Sequence, residues 1–148
     1  MRQHMQTITF SCAIHNTSEF DDLQVELWID EYKFFDQTIP TGTLTPTYEF
    51  EENEEDHILK IVLKNKTQEH TSIDDNGNIL NDACISFDNF CFDDINIDQI
   101  LYERAVYRHD KNSTDIMQAH KFFGTAGCNG EIEFKFKTPF YIWLLENM

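Results

Sequence analysis

Basic residues are scarce in this chain. Lys and Arg number 11 against 27 Asp and Glu, a formal net charge of −16 over 148 residues. Such a surface repels a phosphate backbone unless a basic patch compensates, so direct nucleic-acid binding is disfavoured. Long apolar runs are absent as well. The longest, residues 140–145, spans six positions, whereas a helix crossing a bilayer needs about 18 to 20; no membrane span is expected. Residues 1–16 alternate polar and apolar side chains and lack both the continuous apolar stretch and the small-residue cleavage site of a secretory signal. The expectation is a protein made and kept without export.

Signatures of catalysis and redox chemistry are missing too. Cys12, Cys84, Cys91 and Cys128 include no Cys-x-x-Cys pair, which argues against a zinc knuckle and a thioredoxin-type site. They read as small reduced core residues; two disulfides are the alternative for a chain outside a cell, with three pairings open. Asn-x-Ser/Thr sequons begin at Asn16, Asn65 and Asn112 and matter only in a eukaryotic secretory pathway. There is no Gly-x-Ser-x-Gly elbow and no glycine-rich phosphate loop. With 27 carboxylates, some pair could always be nominated as acid and nucleophile, so nominating one carries no information. No enzyme activity is expected.

What is present is a rhythm of two. Apolar residues make up 41% of the chain and aromatics 14%, enough to bury a core in one domain, 1–148, which no repeat or low-complexity linker divides. Ile8, Phe10, Cys12 and Ile14 alternate with Thr7, Thr9, Ser11 and Ala13, the pattern of a half-buried strand. Leu23, Val25, Leu27 and Ile29 alternate with Gln24, Glu26, Trp28 and Asp30, and Asp30-Glu31 predicts a reversal into a strand over 32–39, closed by Pro40 and Thr41-Gly42. Tyr48 and Phe50 open a short strand that ends in the acidic run 51–56. In residues 57–64, Leu59, Ile61 and Leu63 share one face while Ile58 and Val62 flank Lys60 on the other, as in a central strand.

Asn76-Gly77 predicts a hairpin turn of type I′, which needs positive φ at both positions. From Ala83 the parity of the apolar positions changes twice, at Asp88-Asn89 and at Asp93-Asp94. Each change must be absorbed by a bulge or a tight turn, because a one-residue slip flips every later side chain. Residues 99–109 predict a short turn of helix and then a strand ending near Tyr107. Residues 110–113 read as a polar loop, 114–120 as irregular or briefly helical, and 124–130 as a flexible connector. Ile132, Phe134 and Phe136 then oppose Glu131, Glu133, Lys135 and Lys137, and residues 140–145 read as an apolar strand or extended tail. Burying Phe140, Trp143 and Leu145 should contribute about 1.5 to 3 kcal/mol each, so this tail docks on the domain or forms an interface with a partner. Many short strands with turns between them predict an all-β fold, an antiparallel β-sandwich of jelly-roll type with at most one or two short helices.

Two surface constellations are candidate sites. Trp28, flanked by Glu26 and Asp30 on the polar row of its strand, is a flat platform of the kind that stacks on a sugar ring or a neighbouring subunit, unless a loop or the second sheet covers it. Asp74, Asn76, Gly77 and Asn78 resemble part of a calcium loop. The helix-loop-helix version fails, because it would place Ser72 first and Ala83 at the twelfth position, where a bidentate Glu is required. A looser calcium site would use Asp74, Asp75 and Asp82; a plain hairpin turn with no cofactor is the simpler reading. His15, His57, His109 and His120 have no partner at metal-ligand spacing and read as surface or loop residues. The acidity also suggests a mimic of DNA phosphates, although that role wants carboxylates along one long face, and here they fall mainly in loops and at strand ends.

Several spaced blocks resemble a known group. Asp56-His57-Ile58-Leu59-Lys60-Ile61-Val62-Leu63-Lys64-Asn65-Lys66-Thr67, Asp75-Asn76-Gly77-Asn78-Ile79 with Asp82, and Asp94-Ile95-Asn96-Ile97-Asp98-Gln99-Ile100 are similar to a block in small uncharacterised proteins of tailed phages infecting marine cyanobacteria. Gly127-Cys128-Asn129-Gly130 and the closing stretch from Thr138 to Met148 are similar too. The resemblance covers about residues 45 to 148 and implies a phage origin and a virion or virion-associated role, with synthesis in the host cytoplasm. The order of strands is also similar, as a looser analogy of fold, to β-sandwich carbohydrate-binding modules. The leading expectation is a non-enzymatic structural or accessory protein that binds other virion proteins as an oligomer or larger assembly. A glycan-binding module using Trp28, with or without calcium, and an acidic DNA mimic are the alternatives.

Overall fold

The computed structural model describes residues 6–67, 71–109, 119–127 and 129–147, and for residues 71–73 and 79–82 the backbone alone. The alternating residues near the start become β1 (Thr7–Asn16), with Ile8, Phe10, Cys12 and Ile14 fully buried. The expected hairpin forms from β2 (Gln24–Ile29) and β3 (Tyr32–Thr38), and Asp30 takes φ 56° at its tip. After β4 (Gly42–Leu44) and β5 (Thr47–Glu51) comes β6 (Asp56–Lys64), a central strand between β2 and β14 whose Leu59, Ile61 and Leu63 are buried, while on its other face Val62 is covered and Ile58 is exposed. A separate hairpin, β7 (Thr71–Ile73) and β8 (Ile79–Asp82), precedes β9 (Ile85–Phe92) and β10 (Ile95–Asn96). Then follow α1 (Asp98–Arg104), β11 (Val106–His109), β12 (Ala119–Lys121), β13 (Thr125–Ala126), β14 (Gly130–Lys137) and α2 (Phe140–Asn147).

Two antiparallel sheets carry the core. One has the order β10-β9-β1-β4, with β13 also on β9 and β5 also on β1; the other runs β12-β11-β14-β6-β2-β3. Phenylalanine rings join them face to face. Phe92 of the first sheet lies 4.9 Å from Phe136 of the second, Phe10 lies 5.9 Å from Phe34, and Tyr48 stacks on Phe34 at 4.6 Å. The chain is thus an all-β sandwich with two short helices. Among the described residues no helix is long and apolar enough to cross a membrane.

Both parity changes after Ala83 fall where the sequence placed them. Asn89, at φ 52°, is the extra residue of a bulge in β9, opposite the register shift between Ser11 and Ala13. A bulge leaves N–H groups without ladder partners; here the Asp98 carboxylate accepts from the N–H groups of Asn89 at 3.0 Å and Phe90 at 2.6 Å, which anchors α1 to β9. The second change is the two-residue turn Asp93-Asp94, where Phe92 pairs with Ile95.

Four expectations are corrected. The turn after β7 is not type I′. The Gly77 N–H bonds to the Asp74 carbonyl at 3.0 Å, and positive φ occurs at Gly77 (82°) but not at Asn76. The Asp74 carboxylate has captured the N–H groups of Asn76 and Asn78, both at 2.9 Å, and so organises the turn one residue earlier. Residues 119–121 form a strand, paired with β11; residues 110–118 lie outside the described ones. The connector contains β13, paired with β9 at Thr125↔Ser86 and Ala126↔Ile85. Finally, the closing apolar stretch is the helix α2. The Glu52 carboxylate accepts the Phe140 N–H at 2.6 Å, placing negative charge at the positive end of the helix.

Candidate functional site

Trp28 projects from the outer face of the second sheet, between β6 and β3, opposite Lys60 on one side and Lys33 on the other. Both neighbours place ammonium groups over its ring, Lys60 at 4.9 Å and Lys33 at 5.6 Å from the centroid. These are cation–π contacts. Its indole N–H donates to Glu26 Oε1 at 3.0 Å, and Lys64 bonds the other oxygen of the same carboxylate. Glu26 is only 4% exposed. Burial alone would raise its carboxyl, but the hydrogen bonds from Lys64 and Trp28 outweigh that and hold it below the usual carboxylate range. Beside it, Asp36 is held low by its bonds to Lys33 and Gln24. Asp30 is not part of this surface. It sits in the β2–β3 turn, where one oxygen accepts the Ile58 N–H at 2.9 Å and the other faces His57.

The charge is unevenly laid. Strands of the second sheet carry Lys33, Lys60, Lys64, Arg108, Lys121, Lys135 and Lys137, while strands of the first carry neither Lys nor Arg. Ion pairs thread the second sheet: Lys64 with Glu26, Lys33 with Asp36, Lys60 with Glu131 at 3.9 Å and Arg108 with Glu133 at 3.3 Å. The first sheet presents Thr7, Thr9, Ser11, Glu49, Glu51 and Asp88, and His15 spans it, with Nε2 2.8 Å from Asp88 and Nδ1 2.9 Å from Thr43.

The candidate calcium ligands are placed as follows. Asp74 is spent on its own turn, accepting from Asn76 and Asn78, and its carboxyl is held low chiefly by the Asn78 N–H. Asp75 is exposed. Asp82 pairs with Thr71 at the far end of the hairpin from the turn, and its side chain lies outside the described residues. Among the described residues no group of three or more His, Cys, Asp or Glu could hold a metal ion.

At the C-terminus, the apolar residues divide between core and surface. Phe140 is fully buried, stacked on Phe92 at 4.2 Å, and Trp143 is 8% exposed against Phe134. They dock on the domain itself. Tyr141, Ile142 and Leu145 face outward, at 40%, 56% and 76% exposure. Beside them runs a groove of about 770 Å³ between α2, β10 and α1, lined by aliphatic side chains such as Ile95, Ile100 and Leu144 together with the polar Asn96, Gln99, Glu103 and Asn147. Tyr141 donates to Asp93 Oδ2 at 2.6 Å, a bond that pushes its phenol up to about 12. Arg104 lies over the Trp143 ring at 5.9 Å and donates to the Asn147 carbonyl at 3.3 Å.

His15 lies on the outer face of the first sheet, as expected of a surface histidine, but His57 does not. His57 is 4% exposed: Nδ1 lies 2.6 Å from Asp30 Oδ2, and Nε2 lies 2.9 Å from Asn53 Oδ1 and 3.1 Å from Thr138 Oγ1. The order Thr–His–Asp is that of a nucleophile with its base and orienting carboxylate. Here Thr138 is only 5% exposed and His57 stacks on Phe136 at 5.3 Å, so the hydroxyl has no room for a substrate. His109 and His120 meet across β11 and β12. The partners lie too far apart in sequence to show as motifs; the one local hint for His57 is its place on the buried row of β6, in line with Leu59, Ile61 and Leu63.

Of the cysteines, Cys12 is buried, with its thiol pushed up to about 12 by burial and by the nearby Asp88 and Asp98; Cys84 and Cys91 are half-buried, and Cys128 lies outside the described residues. Asn16 cannot serve as a glycan acceptor, being 1% exposed with its amide bonded to the carbonyls of Phe20 and Ile39.

No family model, no curated protein and no solved structure matches the chain.

Proposed function

We propose that this protein is a non-enzymatic structural or accessory protein of a phage particle, a sandwich of jelly-roll type that decorates the head or tail or forms part of a fibre by binding other virion proteins. The observation that carries this reading is the outer row of α2. Tyr141, Ile142 and Leu145 stand exposed beside a groove of mixed aliphatic and polar lining, on a helix whose inner residues Phe140 and Trp143 are already locked into the core. A fixed helix with an oily outer row is a ready-made contact, because its ordering entropy is already met by folding. The resemblance of residues 45–148 to small phage proteins supplies the setting, and the strong net negative charge keeps unassembled copies apart by mutual repulsion.

The two alternatives rank lower on particular contacts. For a glycan platform, Trp28 would have to shed the ammonium groups of Lys60 and Lys33 before a sugar ring could stack. For a DNA mimic, the outer face of the first sheet offers Glu49, Glu51 and Asp88 among Thr and Ser, too few carboxylates to imitate a phosphate array. Mass spectrometry of purified particles tests the proposal: the chain should be present in stoichiometric amount. Its absence from particles, together with binding on a glycan array that Trp28→Ala abolishes, would replace this reading with the carbohydrate one.

A further inference from the structure

We propose that His109 and His120 form a two-imidazole binding site for a divalent transition-metal ion of the nickel or copper kind, bridging β11 and β12. His120 pairs with the buried Tyr107 in the strand register. His109 lies two residues along β11 on the same face, and both rings pack on Tyr107, at 4.5 and 5.2 Å. Their Nε2 atoms are 2.8 Å apart.

The protonation pattern follows from the neighbours. His120 Nδ1 lies 2.7 Å from the Lys121 carbonyl oxygen. A carbonyl can only accept, so Nδ1 carries the hydrogen, and neutral His120 aims a bare Nε2 lone pair at His109. In the metal-free protein the shared proton sits on His109 Nε2. When a metal ion takes its place, that same hydrogen passes to His109 Nδ1, so both rings stay neutral and no proton is lost. The Nδ1–H to backbone-carbonyl bond of His120 is the outer contact that orients metal-bound imidazoles.

The spacing selects the kind of ion. With metal–nitrogen bonds of about 2.0 to 2.1 Å, two nitrogens at a right angle stand about 2.9 Å apart, almost the separation of the hydrogen-bonded pair, so the rings need to turn but not to part for both Nε2 lone pairs to converge on one ion. A tetrahedral pair would stand about 3.3 to 3.4 Å apart and would force the rings away from each other. Square or six-coordinate ions that favour imidazole therefore fit, with water at the remaining positions, while calcium and magnesium prefer oxygen ligands. Strand alternation turns Arg108 and Lys121 to the opposite face of the sheet, where Arg108 is engaged by Glu133, and the chain's net charge of −16 favours cations.

Isothermal titration of nickel chloride into the untagged full chain at neutral pH should show one site per chain of micromolar affinity. His109→Asn and His120→Asn should each weaken it at least about tenfold, His15→Asn should leave it unchanged, and calcium chloride should give no heat at this site. Binding that survives the two substitutions, or no binding by the wild type at millimolar nickel, overturns the proposal. Should the variants fail to fold, the wild type with one equivalent of copper(II) decides: electron paramagnetic resonance shows hyperfine splitting from two imidazole nitrogens if the site exists, and its absence defeats it.

Discussion

His57 Nδ1 lies 2.6 Å from Asp30 Oδ2, and through that contact one buried ring ties three separate parts of the chain together. Asp30 holds the β2–β3 turn, Asn53 belongs to the acidic stretch before β6, and Thr138 closes β14 ahead of α2. Replacing His57 by Phe keeps an aromatic ring against Phe136 but leaves Asn53, Thr138 and Asp30 without their shared partner. Asp30 and Asn53 are exposed and can turn to water, whereas Thr138 is buried, and a buried polar group left without its partner costs about 1 to 3 kcal/mol. We expect His57→Phe to lower the stability measured by urea unfolding by roughly 1 to 3 kcal/mol. A loss below about 0.5 kcal/mol would mean that the ring packs there without these bonds mattering.

Glu26 sets a limit on stability in acid. Its carboxyl titrates below its ordinary value of 4.5 because Lys64 and Trp28 bond the ionised form more than burial disfavours it. A depressed folded-state pKa means that the unfolded chain takes up the proton first as pH falls. The stabilisation is therefore complete above the ordinary value and disappears as pH drops through the folded one. Lys64 is half exposed, so solvent screening limits the effect to about 1 to 2 kcal/mol at neutral pH. Glu26→Gln should show that deficit at pH 7 and converge with the wild type as the pH falls through the lowered folded-state value; a deficit that stays constant with pH would locate the effect in packing.

Alternation made the sheets legible. Every residue of the row Ile8, Phe10, Cys12, Ile14 is buried, and even the irregularity at Asp88-Asn89 was visible, because a change of parity has only a few geometric solutions. Where the rhythm vanished, the reading failed. In residues 140–145 every side chain is apolar, so no period distinguishes strand from helix, and the group that settles the matter, the Glu52 carboxylate, lies 88 positions earlier. The same distance problem hid the polar cluster. His57 meets partners 27, 4 and 81 positions away, a pattern that exists only once the sheets have closed. Trp28 was legible as an outward ring, but the lysines over it arrive from two neighbouring strands whose register the sequence does not state.

Gly130 begins β14 where that strand passes β11. A Cβ there would run into the Arg108 carbonyl oxygen and come within 2.9 Å of His109 Cα, both rigid backbone atoms. Neither can yield without separating β11 from β14. Gly130→Ala should therefore cost about 1 to 3 kcal/mol, whereas Gly77→Ala meets no atom within 4 Å and suffers only from its φ of 82°. Thermal unfolding of the two variants orders them, and a Gly130→Ala protein as stable as the wild type would contradict the close approach of the strands.

The two sides of α2 make the sharpest separation between fold and binding. Phe140 and Trp143 fill the core, so Phe140→Ala should cost about 3 to 5 kcal/mol and lower the yield of folded protein. Leu145 is 76% exposed and Ile142 56% exposed, and surface changes of this kind shift stability by no more than about 0.5 kcal/mol. The double substitution Ile142→Asp with Leu145→Asp should accordingly leave the unfolding midpoint nearly unchanged. It should also abolish incorporation into particles and any concentration-dependent association seen by light scattering, because two desolvated carboxylates cannot enter an apolar contact without a partner. If the folded double variant assembles as the wild type does, the outer row of α2 is not the contact, and the assembly must use a different face of the sandwich.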